Sequence, residues 1–217
     1  MTDLELTAPA DLRDWRVFTQ RAQRLDPDGA MRLAVHGPAL VLTVSPLHPH
    51  GLGDPTPLAL GMRIVRLTGP ELDGTDVIVP LAALGDRFAR AESQGHLRVP
   101  VPPQEVRVPW AGITPPRGPW EESGEIAAAE VRAAAAEGIA EVAAGVPGAA
   151  GGPAVSALRR RIWSRPLAGV AGVSSGVALA LDGLGFLAGA HRVAVRRAGT
   201  WARLSTDTGH VLTRTVG

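Results

Sequence analysis

Residues 172–176, Gly-Val-Ser-Ser-Gly, spell the G-x-S-x-G pattern of a nucleophile elbow, and Asp182 and His210 follow Ser174 in the order nucleophile, acid, base. That chemistry needs a buried parallel strand directly before the serine, so that the hydroxyl is held on a sharp turn facing the base. Residues 166–171, PLAGVA, are too short and too proline-bound for such a strand. Ser174 is therefore expected to cap a helix, and no catalytic residue is expected.

Two other patterns carry potential chemistry. His48-Pro49-His50 with Asp54 offers two imidazoles and a carboxylate within the loop SPLHPHGLGDPTP. Two histidines two residues apart, with no distant third ligand, are expected to be polar loop residues, and no metal is assigned. Gly183-Leu184-Gly185 follows helical residues instead of a strand, and the next glycine comes one residue late for a dinucleotide fingerprint. Lysine, cysteine and tyrosine are absent. Their absence excludes a lysine Schiff base, a phosphate-loop lysine, a disulfide and cysteine-ligated zinc. No cofactor is expected.

The arginines are a stronger signal. Residues 1–118 hold 12 Arg against 13 Asp and Glu, whereas residues 155–217 hold 9 Arg against 2 acids. A basic segment of this kind neutralises phosphates, and Arg159, Arg160, Arg161, Arg196, Arg197 and Arg203 are the candidates for contacting nucleic acid. Against that use, the helix expected over 175–187 has Asp182 as its one charge and presents no Arg, Asn or Gln to base edges. The run at 159–161 also reads as the solvated face of a short helix.

Positioning elements follow from periodicity. Leu12, Trp15, Phe18, Ala22 and Leu25 recur at helical spacing, with Pro9 in the first turn and Asp26-Pro27-Asp28-Gly29 as the stop. Strands are expected in MRLAVHG, ALVLTVS, LALGMRIVRL and TDVIVP, the first two joined at Gly37. Leu81, Leu84, Phe88 and Ala91 mark a second helix that ends near Gly95. Residues 96–110 read as proline-interrupted edge segments.

From Gly118, a long alanine-rich helix is expected over 119–144, with Glu121, Glu122 and Glu125 at its positive end. The stretch 145–153, GVPGAAGGP, is the expected flexible joint. A helix over 154–164, a second one over 174–187 and three closing strands complete the chain.

The apolar stretch 166–190 is long enough to span a bilayer, but Asp182 near its middle would cost about 2.5–3.5 kcal/mol. A buried helix is the expectation, and no membrane is assigned. The acidic, polar first residues have no apolar h-region, so a cytoplasmic location is expected.

The string R-x-x-IWSRPL…LGFL…VAV-x-RAGTWARLST-x-x-GHVLTR, with RLDPDGAMRL at 24–33, resembles proteins encoded in high-GC actinobacterial genomes. That family has no established activity, so the resemblance implies an uncharacterised cytoplasmic protein and carries no site residues across.

The resulting expectation is an α+β fold. Residues 1–118 form a mainly antiparallel sheet with flanking helices. Residues 119–217 form the long helix, then a helical pair and three-stranded meander in winged-helix-like order. The leading functional reading is a non-enzymatic binding or interaction protein, with exposed strand edges or the alanine-rich helix as routes to self-association. A winged-helix-like nucleic-acid binder comes second and a small-molecule enzyme third.

Overall fold

The computed structural model describes residues 3–51, 53–145 and 152–215. Most of the joint expected at 145–153 thus lies outside the described residues. The chain divides into two compact units, Met1–Pro46 with Met62–Ala111, and Leu47–Gly61 with Gly112–Gly217. The protein is α+β, and no helix among the described residues is long and apolar enough to cross a membrane.

In the first unit, α1 (Pro9–Leu25) buries Leu12, Trp15, Phe18 and Ala22, the stripe that its periodicity predicts. Trp15 meets Phe88 edge-on at 5.3 Å and directs its indole N–H toward Met31 Sδ at 3.3 Å. β2 (Ala30–His36) pairs antiparallel with β3 (Ala39–Leu47) and with β5 (Asp76–Pro80), in the sheet order β5-β2-β3-β4, where β4 is Ala59–Arg66. The β2–β3 turn depends on Gly37 at φ 56°, a conformation that a side chain disfavours. α2 (Gly85–Gln94) ends at Gly95 in the left-handed region (φ 66°), and its Phe88 and Ala91 are buried.

Patterning did not reveal β1 (Asp3–Glu5), which pairs with β6 (Arg98–Pro100). Three residues are too few for an alternation to show, and only Leu4 of the three is buried.

In the second unit the expected helix over 119–144 is corrected. Residues Glu121–Ala127 form a strand, β7, and the helix α3 runs only over Ala128–Gly145. The backbone ladder with β8 (Arg192–Ala198) and the burial of Ile126 override the acidic helix start. β7 lies antiparallel to β8 in a register that sets Glu121 opposite Arg197 and Glu122 opposite Arg196. A register shift at Gly124, with φ 116°, bends the strand there.

β8, β9 (Trp201–Thr206) and β10 (Gly209–Arg214) form the expected meander, so the strands run β10-β9-β8-β7. Successive side chains alternate between the two faces. Ile126, Val193, Val195, Leu204 and Val211 are buried on one of them.

The helical pair follows the expected order, as α4 (Gly152–Trp163) and α5 (Gly176–Gly183). Gly138 of α3 is buried beneath Trp163, and Gly209 of β10 lies against Phe186. These two glycines therefore mark close approaches. Arg132 of α3 donates to the carbonyls of Leu187 and Ala190, which fastens the helix to the chain beyond α5.

Candidate functional site

The residues of the elbow pattern are not assembled for catalysis. The Ser174 hydroxyl is buried and has no hydrogen-bond partner among the described residues. It is not the expected cap either: Ser175 occupies that position, and its hydroxyl donates to the Ile162 carbonyl at 3.0 Å. Asp182 is exposed on α5. His210 Nδ1 lies 2.9 Å from Ser205 Oγ, so its partner is a residue on the neighbouring strand and not Ser174.

The histidine loop is held by Asp54. Its carboxylate accepts from the His50 N–H at 2.9 Å, from the Thr56 N–H at 2.9 Å and from the Thr56 hydroxyl at 2.7 Å. The His50 and Thr56 hydrogen bonds, aided by Arg160 at 3.9 Å, pull its pKa down to about 2. The rings of His48 and His50 stand 4.8 Å apart. Among the described residues no group of three or more histidines and carboxylates is placed to hold a metal ion.

Carboxylates and rings take up several of the basic residues. Arg196 reaches Glu122 at 3.4 Å and Arg192 reaches Glu125 at 3.2 Å, so the glutamates expected at a helix start sit against the basic meander. Arg160 lies against Asp54, and Arg165 pairs with Glu141 of α3. Arg197 donates to Ser123 Oγ at 3.2 Å and to the Ala171 carbonyl. Arg203 lies over the Trp120 ring at 4.7 Å, and Arg214 over Trp201 at 5.6 Å. Arg159 is half-buried on α4 and Arg161 exposed.

Two open grooves meet at Arg197. One, of about 530 Å³, is lined by Ser123, Glu125, the loop 169–172 and Val195. The other, of about 750 Å³, runs between Pro116, Pro119, Glu121 and Trp201. Glu125 and Arg197 are the charged groups of the first, and neither groove gathers a nucleophile with a base.

A different surface distinguishes α3. Ala128, Val131, Ala135 and Gly138 face inward. On the opposite side Ala129, Ala133, Ala136, Ala140 and Ala144 follow one another at helical spacing, all exposed. Ile139 borders this stripe and is 47% exposed. A solvated helix face usually carries charge, whereas here Glu130, Arg132 and Glu137 stand only at the margins.

Sequence reasoning anticipated the alanine-rich helix but not its boundary. It also missed the grouping of Arg196, Arg203 and His210, which needed the strand register.

No curated protein matches the chain. Among solved structures, "H.pylori Beta clamp in complex with 5-chloroisatin" is similar over 99% of this chain and 66% of that one, at 10% identity and a TM-score of 0.43. A likeness that remote carries no functional argument. Residues 115–217 match the domain of unknown function DUF8185. Residues 1–112, more than half of the sequence, match DUF8010, and the chain belongs to that family of domains of unknown function.

Proposed function

We propose that the protein is a non-enzymatic interaction module that pairs with a second copy of itself through the outer face of α3. The observation that carries this reading is the exposed stripe Ala129, Ala133, Ala136, Ala140 and Ala144 with Ile139 at its border. Small side chains let two helices approach closely, within the 8–10 Å interaxial range of packed pairs. The competing route, pairing through the edge of β7, is disfavoured by its exposed glutamates and the bend at Gly124, both of which blunt a strand edge.

Size-exclusion chromatography with light scattering tests the proposal. The wild type runs as a dimer, and Ala136→Glu, which places a charge in the middle of the stripe, runs as a monomer. A strict monomer at high wild-type concentration overturns it.

A second reading assigns Arg159, Arg160, Arg161, Arg196, Arg197 and Arg203 to nucleic acid. The surplus of arginine in residues 155–217 supports it, and the carboxylate pairs of Arg160 and Arg196 weigh against it. Anisotropy titration with duplex DNA at two salt concentrations decides, and binding that weakens with salt below about 10 μM protein favours this reading. We further take 1–118 and 119–217 as the functional halves. We also propose a cytoplasmic location and an actinobacterial origin, both of which the resemblance implies.

A further inference from the structure

β8, β9 and β10 bring three nitrogen-rich side chains to one face of the second unit's sheet. Arg196 and Arg203 are direct partners across β8–β9, and His210 partners Ser205, two residues beyond Arg203, across β9–β10. Alternation therefore puts Arg196, Arg203, Ser205 and His210 on the same face. Like charges placed directly opposite one another destabilise a sheet, so this arrangement needs a reason.

The local neutralisation is incomplete. Among the described residues Arg196 has only Glu122, at 3.4 Å, whose side chain is 86% exposed. Arg203 has no carboxylate within ion-pair distance among the described residues, and its Nε is buried without a hydrogen-bond partner. Trp120 lies over the guanidinium at 4.7 Å, which holds it in place while offering it no acceptor. A guanidinium that is positioned, partly desolvated and short of acceptors is arranged to receive an anion.

We propose that Arg196, Arg203 and His210 form a binding site for a small phosphate-type dianion on the face of β8–β10. The dianion accepts from the Arg203 and Arg196 guanidinium groups, displacing the exposed Glu122 carboxylate. His210 supplies a third donor, while Ser205 fixes its ring from the other side at 2.9 Å. The site is independent of the α3 surface.

His210 stands in surroundings that disfavour its charged form. Burial is the main cause that lowers its pKa, and the charges of Arg203 and then Arg196 add to the effect. A bound dianion reverses the sign of that local field.

The probe is inorganic phosphate, added to the full chain at roughly 10 mM against chloride of equal ionic strength. The six histidine rings are followed by NMR, and His210 is assigned through His210→Gln. Phosphate is expected to raise the His210 pKa by about 1 unit while the other histidines stay put.

Arg203→Gln is expected to abolish the response. Because Arg203 is also stacked on Trp120, the more exposed Arg196→Gln provides the second test and should weaken phosphate binding about tenfold. The proposal is overturned if phosphate moves His210 no more than chloride does, or if Arg196→Gln responds like the wild type. It is overturned equally if a single-stranded oligonucleotide shifts His210 where inorganic phosphate does not.

Discussion

Gly138→Ala sets two effects against each other inside α3. In an open helix interior alanine is more favourable than glycine by about 0.8–1 kcal/mol, so propensity alone predicts a more stable protein. The structure predicts the reverse. A Cβ at position 138 would stand 2.4 Å from both Cη2 and Cζ3 of Trp163. Those atoms belong to a rigid ring that is 2% exposed, so it has no free space to swing into.

Overpacking a core costs about 1–3 kcal/mol, and a contact this short belongs at the upper end of that range. The net expectation is a loss of about 1–2 kcal/mol. For a chain of this size that lowers Tm by roughly 2–8 °C. Thermal and urea unfolding followed by circular dichroism and tryptophan fluorescence measure it. Ala89→Gly on the exposed face of α2, away from the α3 stripe, is the reference and should cost about 1 kcal/mol through propensity alone. A Gly138→Ala protein as stable as the wild type, or more so, would refute the packing argument.

Three further outcomes follow from the charges. The pKa of Asp54 is near 2, below its unfolded value, so the stability it contributes is fully present above about pH 4 and lost as pH falls toward 2. Asp54→Asn should flatten that acid limb in pH-dependent unfolding and release His50 and Thr56. His210 has a lowered pKa, so its contribution is complete above about pH 6.5 and declines as pH falls through the folded value; His210→Gln should remove that part of the profile. Replacing Glu121, Glu122 and Glu125 with glutamine releases Arg192 and Arg196 from exposed pairs, which should leave stability nearly unchanged. The triple variant should bind duplex DNA more tightly than the wild type, with a steeper salt dependence in anisotropy titrations.

The legibility of the fold in the sequence varied with the kind of force involved. α1 could be read because its buried stripe repeats every three or four residues, and the hairpin at Gly37 because its turn needs glycine. β7 could not, because alanine richness downstream and glutamates upstream imitate a helix start, while its true partner lies some 70 residues later in β8. The one local hint was Ser123-Gly124, a pair poorly suited to a helix interior.

Arg196 and Arg203 face each other because the turn after Ala198 sets Ala198 against Trp201, a register open to inference from the hairpin. The Trp120 stack was not open to it, since β7 had first to be recognised as a strand. Gly138 looked like a flaw in a helix. Its reason, the Trp163 ring, comes from a separate helix.

The chain contains no cysteine, so a single Ala140→Cys can carry a spin label on the alanine stripe without competing thiols. Double electron–electron resonance between copies then reports directly on pairing through α3. The interaction reading predicts a short, narrow distance between labels that disappears when Ala136→Glu is added. A featureless decay at high protein concentration, with Ala140→Cys folded as the wild type, would contradict it.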